Sequence, residues 1–221
     1  MGLGIKERNK IAKRAAAEIS NGMLVNLGIG IPSLIPNHLI HAHDVMFHAE
    51  NGLVGMGSAP DKGKEDAHLC NAGGQPITIR DGASYCESTI AFGMIRRGLV
   101  DITILGALQV SEAGDLANWI VPGSRVPGMG GAMELAAKAK KVIVLMEHTD
   151  NTGMSKIVET CTLPLTAQKC VHMIITQLGV FSVTRAGLLL TDIFAASSIS
   201  EIRNKTAGSF TVSDNIHILQ E

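Results

Sequence analysis

Apolar positions in this chain fall into short unbroken runs parted by glycine-rich polar stretches, the pattern of strands buried on both faces of a sheet. Met23-Leu24-Val25-Asn26-Leu27, Val45-Met46-Phe47-His48, Asp101 through Gly106 and Lys141 through Met146 are the clearest such runs. Shorter strands are expected at 76–80, 119–121, 173–176, 179–183 and 187–191. Helical spacing alternates with them. Ala12, Ala15, Ala16 and Ile19 recur at i, i+3, i+4 and i+7 among Lys6, Arg8, Lys10, Lys13 and Arg14, which predicts an amphipathic helix over 4–20 closed by Asn21-Gly22. Further helices are expected over 33–40, where Pro36 is awkward, from about Ser84 to Arg97, from Ala132 to about Lys138, and near 199–205. Residues 58–75 and most of 109–127 read as irregular, and Leu53 through Gly57 as a glycine-studded turn. Strands alternating with helices give an α/β fold, a mostly parallel central sheet with helices on both faces.

Size and charge narrow the class. The chain has 221 residues, 46% of them apolar, enough for one core and one domain spanning 1–221. Lys plus Arg (19) and Asp plus Glu (20) nearly cancel, so no basic field exists to hold a nucleic acid. Aromatics at 3% argue against base-stacking platforms. No apolar run approaches the roughly 18–20 residues of a membrane span, and a cytoplasmic location is expected. Cys70, Cys86, Cys161 and Cys170 lack C-x-x-C or His-paired spacing, so they read as reduced thiols with no metal.

Candidate chemistry gathers at glycine-rich turns. Glu50 follows a buried strand and opens Glu50-Asn51-Gly52, where open α/β sheets place their reactive groups. A carboxylate crowded by neutral backbone there can serve as nucleophile or base. Gly28-Ile29-Gly30 is a poor dinucleotide fingerprint, because Pro32 and Ser33 break it. Neither a G-x-x-x-x-G-K-[ST] phosphate loop nor a G-x-S-x-G nucleophile elbow occurs, which removes nucleotide hydrolases and serine esterases as first choices. Gly128-Met129-Gly130-Gly131 opens a helix and can aim a backbone amide at an oxyanion, as acyl transfer requires. Glu147-His148 reads as a supporting pair. His38, His41, His43 and His48 cross a helix end, a loop and a strand, so no single face collects them into a metal site.

In chain order, Asn26-Leu27-Gly28-Ile29-Gly30-Ile31-Pro32, Glu50-Asn51-Gly52, Asn71-Ala72-Gly73, Gly82-Ala83-Ser84-Tyr85, Met94-Ile95-Arg96, Gly114 through Trp119, Gly128 through Met133 and Met146-Glu147-His148 form an ordered set. Together they resemble the β subunit of family I CoA-transferases, the 3-oxoacid group, over roughly residues 5–210. The resemblance implies the CoA-transferase (NagB/RpiA-like) type of fold, with Glu50 as the nucleophile and Gly131, with Gly130 close by, as the oxyanion turn. It also implies substrate contacts from Gly28, Gly30, Asn51, Asn71, Gly73, Gly128 and Met129, with CoA as substrate and neither cofactor nor metal.

The expected reaction moves CoA between a short-chain 3-oxo acid such as acetoacetate and another acid such as succinate or acetate, through a glutamyl-CoA thioester. Hydrolysis of acyl-CoA, or a non-catalytic domain sensing acyl-CoA or sugar phosphates, are the alternatives. The resemblance also implies a separate α subunit, in an αβ or α2β2 heteromer. Departures from the family pattern stand at His48-Ala49, where Gln-Ser is usual, at Arg97 for Gly, and at Glu134 for Asp. That His48 takes over a polar role next to the carboxylate is a hypothesis, tested by comparing the acyl specificity of His48→Gln with the parent.

Overall fold

The computed structural model describes residues 2–39, 44–123 and 128–220. Helix α1 (Ile5–Ala16) leads to β1 (Leu24–Leu27), a 3-10 helix (Pro32–His38) and the strands β2 (Met46–Ala49), β3 (Leu53–Met56) and β4 (Ile79–Tyr85). Helix α2 (Ser88–Arg96), the strands β5 (Ile102–Gly106), β6 (Gln109–Ser111) and β7 (Leu116–Ala117), and helix α3 (Ala132–Lys138) follow. The chain continues through β8 (Lys141–Leu145), β9 (Ile157–Val158), β10 (Met173–Ile175), β11 (Gly179–Thr184), β12 (Gly187–Phe194), α4 (Ile199–Lys205) and β13 (Phe210–Leu219).

Ten strands form one sheet in the order β13-β12-β11-β10-β8-β5-β1-β2-β3-β4. Its centre, from β10 through β8, β5 and β1 to β2, is parallel throughout. Antiparallel pairs flank it at β2-β3-β4 and β10-β11-β12, and β13 returns parallel to β12. The alternation of β8 divides the core. Ile143 and Leu145 pack with Ile11, Ala12 and Ala15 of α1 on one face. Val142 and Val144 pack with Ala136 of α3 and Ile202 of α4 on the other. Helices therefore cover both faces, as the continuous apolar runs require.

Local differences from the sequence pattern have local causes. Helix α1 stops at Ala16, and the chain tightens through i to i+3 bonds such as Glu18 N to Ala15 O (3.0 Å) before Gly22 turns it with φ +81°. The segment 32–38 is 3-10 rather than α-helical; Pro36 inside it has no N–H for the α-helical bond back to residue 32. Leu53–Met56 is a strand, not a turn, so Glu50-Asn51-Gly52 is the tip of a hairpin. Its Gly55 has φ +97°, and a Cβ there would stand 2.7 Å from Ala83 Cα. The apolar run at 119–121 forms no strand. The short sheet nearby is β7-β6-β9. Helix α2 begins at Ser88, since 84–85 finish β4.

Charge ties α1 to the sheet. Glu18 accepts from Arg14 at 2.6 Å and from Lys141 of β8 at 2.7 Å. Burial works against its ionisation, yet the bonds from Lys141 and Arg14 outweigh that and hold the carboxyl below its usual range. No helix of the described residues is long and apolar enough to cross a membrane.

Candidate active site

The carboxyl ends of β1, β2 and β5 open into one cleft of about 490 Å³. Asn26, Gly28 and Ile29 come from β1 and its loop, Glu50 from the hairpin tip, and Leu105 through Leu108 from the end of β5. Asn118, Trp119 and Gly128 through Ala132 close the opposite wall. The cleft thus lies at the strand ends where parallel sheets expose backbone to ligands.

Glu50 is placed from below by a polar seam across three strands. Thr103, Asn26 and His48 are register partners on β5, β1 and β2. All three are buried, at 0, 1 and 1% exposure, inside an otherwise apolar sheet. The Asn26 side-chain amide donates to Glu50 Oε2 at 3.0 Å and to the His48 carbonyl at 3.1 Å. It also lies 3.3 Å from His48 Nδ1, while Thr103 Oγ1 donates to Asn26 Oδ1 at 3.4 Å. His48 Nε2 faces the Ala91 carbonyl at 3.1 Å, so Nε2 carries the proton and Nδ1 is an acceptor. Desolvation lowers the His48 pKa, against the opposing effects of the Ala91 carbonyl and the Glu50 charge, which favours this neutral form. The imidazole touches Asn26, not the carboxylate. Sequence patterning overlooked Asn26, although a lone amide in an apolar strand was its signal.

The other carboxylate oxygen faces the glycine turn. Gly131 is the N-cap of α3, and a Cβ on it would lie 3.4 Å from Glu50 Oε1 and 3.3 Å from the Phe92 ring. Amides at such a helix start have no intrahelical acceptor. Gly128, Met129 and Gly130 line the same wall, with Gly128 at φ +102° and Gly130 at φ +56°. The arrangement offers a half-buried carboxylate with one oxygen held by Asn26 and the other on the side of the glycine turn.

Other expected site residues fall outside the cleft. Asn51 is exposed and donates to the Cys70 carbonyl at 3.1 Å, fastening the 66–76 loop to the hairpin. Asn71 Oδ1 accepts from Gly73 N (2.9 Å) and Gln75 N (3.0 Å), shaping that loop from within. Gly73 packs where a Cβ would collide with Ile29 Cγ2, so Ala72 rather than Gly73 reaches the cleft. Gly30 (φ +85°) borders a neighbouring pocket of about 370 Å³, lined also by Arg8, Glu147 and Lys156, which shares Ile29, Gly106 and Ala107 with the cleft. Burial lowers the Lys156 pKa while Glu147 and Asp150 oppose it.

The Gly114 to Trp119 segment is mostly architectural. Asp115 accepts from Ser111 Oγ and Lys169 N, and Asn118 is locked between Gly106 O and Thr166. Trp119 is the exception. Its indole nitrogen is buried with no hydrogen-bond partner among the described residues and belongs to a cleft-lining residue. Of the family departures, Glu134 reaches Arg96 of α2 with two bonds of 2.8 Å. Nothing in the structure explains Arg97.

Among the described residues the histidines do not converge. His38 Nε2 lies 3.0 Å from Asn9 Oδ1, His48 is in the seam, and His41 and His43 lie outside the described residues. His148 is buried between Thr176 and Thr206, at 3.0 and 2.9 Å, away from Glu50. Among the described residues no group of three or more His, Cys, Asp or Glu could hold a metal ion. Burial pushes the Cys161 and Cys170 thiols up to about 11, which keeps both protonated at neutral pH.

Comparison with known proteins places this geometry. The sequence model of the family described as "Coenzyme A transferase" matches residues 8–199. The beta subunit of a probable coenzyme A transferase of Bacillus subtilis is 58% identical over 212 residues, 96% of this chain and 98% of that protein. One subunit of a probable succinyl-CoA:3-ketoacid coenzyme A transferase of the same organism is 49% identical over 209 residues, covering 95% and 97%. The crystal structure of an acyl-CoA transferase of Escherichia coli O157:H7, as a thioester complex with CoA, superposes with a TM-score of 0.78 at 20% identity. It matches 96% of this chain, which spans 43% of that longer one.

Proposed function

The chain belongs to the coenzyme A transferase family, and from that premise we propose that it is the β half of an enzyme moving CoA between a short-chain 3-oxo acid such as acetoacetate and another carboxylic acid such as succinate or acetate. The observation that carries this reading is Glu50, held through Oε2 by Asn26 while Oε1 faces the Gly131 turn.

The chemistry follows from the two oxygens. Oε1 attacks the carbonyl carbon of an acyl-CoA, the C–S bond breaks, and CoA leaves as thiolate. The product is an acyl-glutamyl anhydride. The thiolate then attacks the Glu50 carbonyl carbon, the anhydride C–O bond breaks, and the first acid departs as carboxylate. Glu50 now carries CoA as a thioester. A second carboxylate runs the steps in reverse and leaves as the new acyl-CoA, with Glu50 restored. Thioester energy is retained throughout without net redox or proton change. The amides of Gly131 and Gly130 stabilise the oxyanion of the attacked acyl carbonyl.

Two surroundings support CoA as the ligand. The cleft continues into the pocket lined by Arg8 and Lys156, whose cations suit the phosphates at the far end of CoA. Those remote contacts supply binding energy that steadies the high-energy intermediates. The unpaired Trp119 indole is a donor awaiting an acceptor that arrives with substrate or partner.

A second subunit completes the enzyme in this reading. Ile29 lines the cleft yet is exposed, Met133 is exposed two residues beyond Gly131, and exposed Tyr85 pairs with Leu53 at the root of the Glu50 hairpin. Such apolar side chains around a site suit an α subunit that docks over it, as αβ or α2β2.

The test is peptide mass spectrometry after incubating the chain and its α partner with acetoacetyl-CoA. A CoA adduct on the Glu50 peptide, reducible by borohydride, is expected, together with turnover that depends on the acceptor acid. Active enzyme with unmodified Glu50 would overturn the mechanism, and equal CoA release with and without acceptor would make it a hydrolase.

A further inference from the structure

We propose that the buried Thr103–Asn26–His48 seam is a positioning device that assigns the two Glu50 oxygens different roles, Oε2 as anchor and Oε1 as the attacking atom; this rests on the CoA-transfer reading above. A free carboxylate on a hairpin tip rotates about its last bond and presents either oxygen. Here the Asn26 amide pins one of them at 3.0 Å. The other is left on the side of the Gly131 turn.

Asn26 can hold that orientation because its own amide is fixed. Its two hydrogens point at Glu50 Oε2 and the His48 carbonyl, with His48 Nδ1 sharing the second. Its oxygen takes the Thr103 hydroxyl. A flip of the amide would set an oxygen against Glu50 and leave a buried NH2 group facing only Thr103. His48 contributes through its tautomer. Nε2–H is committed to Ala91 O on α2, so Nδ1 must accept, and a donor never faces the Asn26 amide. His48 is thus a positioning residue acting through Asn26.

The same pattern is available to one other common side chain. Glutamine at position 48 has an amide hydrogen for Ala91 O and an oxygen for Asn26, whereas leucine has neither. Imidazole and amide are interchangeable here because the seam needs one donor and one acceptor at opposite ends.

The experiment uses the chain together with its α partner and single-turnover formation of the Glu50 adduct from acetoacetyl-CoA. Asn26→Ala and the isosteric Asn26→Asp, which keeps the volume but loses the donor, are each expected to slow the adduct-forming step about 30-fold or more while KM moves less than about threefold. His48→Gln is expected to stay within about threefold of the parent, and His48→Leu to lose about three- to tenfold. In the Asn26→Ala background, His48→Leu should add less than about twofold, since its effect runs through the missing amide. Parent-like rates in both Asn26 variants, or full multiplication of the two losses, would overturn the proposal. A parent that forms no adduct would sink the reaction assigned above and leave crystal structures to decide the seam. There the Glu50 carboxylate is expected to leave its parent position in both Asn26 variants, and an unmoved carboxylate would overturn the positioning role.

Discussion

Gly52 and Cys86 approach so closely that a Cβ on Gly52 would collide with the Cys86 carbonyl oxygen, while Cys86 N donates to Gly52 O at 2.9 Å. Gly52 also has φ +112°, in the region that disfavours any L side chain. The hairpin tip that carries Glu50 is therefore clamped to the start of α2 by a contact only glycine permits. Gly52→Ala is expected to cost about 3 kcal/mol or more, from strain and backbone displacement together. Denaturant melts of parent and variant measure it, and a loss below about 1 kcal/mol would show the clamp to be soft.

Gly131 makes the complementary prediction, a catalytic loss with little change in fold. Its φ of −80° suits alanine, so Gly131→Ala brings no backbone strain. The new methyl would press on Phe92 at 3.3 Å and on Glu50 Oε1 at 3.4 Å. The Phe92 ring or the turn must yield by a few tenths of an ångström, which shifts the turn against Glu50 in a step sensitive to such changes. A drop in kcat of about 100-fold is expected with a melting temperature within about 3 °C of the parent. Phe92→Leu in the same chain should return part of the loss by giving the methyl room. Full activity in Gly131→Ala would remove the turn from the chemistry.

These two glycines also show how far the sequence carries the site. Glu50, Gly52 and Gly131 stood out because each interrupts an apolar run or opens a helix, and patterning registers interruptions. β5 and β8 were legible for the converse reason, since both are apolar without a break. β3 was not, because Gly55 and Gly57 flank and divide its short apolar stretch. β13 escaped notice because most of its residues are exposed or half-exposed at the sheet edge, which leaves no buried face to mark it. Asn26 was hidden inside an apolar strand. Its partners Thr103 and His48 are distant in sequence, and only strand register brings them beside it. Asn51 and Asn71 stood out because both sit in glycine-rich turns, and their side chains also shape the loop: Asn51 donates to Cys70 O, while Asn71 accepts from Gly73 N and lines a pocket with Gly28.

Lys156 tests where the nucleotide end of CoA is held. Lys156→Gln is expected to raise KM for acetoacetyl-CoA about tenfold with kcat within about threefold, the signature of a contact remote from the reacting atoms. A truncated thioester such as an N-acetylcysteamine ester has no phosphates, so parent and variant should use it equally. Equal sensitivity of both substrates would place Lys156 in the chemistry or the fold instead.

His148 makes folding stability depend on pH in a defined window. Burial, and after it the Lys205 charge, pull its pKa down to about 4, with Glu201 opposing. The neutral ring fits its site: Thr206 Oγ1 donates to Ile202 O at 2.6 Å and so accepts from Nε2–H, leaving Nδ1 as the acceptor 3.0 Å from Thr176 Oγ1, whose proton it shares with Gly179 O at 3.3 Å. The unfolded chain binds a proton near pH 6.5, the folded chain only near pH 4. Between those values the unfolded state holds more protons, so stability rises with pH. The contribution is complete above about pH 6.5 and is lost as pH falls toward 4, by roughly 3 kcal/mol in all. His148→Gln retains a donor and an acceptor but does not titrate. Unfolding free energies of parent and variant across pH 4 to 7 should therefore converge or cross as pH falls, because the depressed carboxyls of Glu18 and Asp101 and the ring of His48 act equally in both. Parallel curves over that range would mean that the His148 ring takes up its proton in the fold as readily as in the unfolded chain.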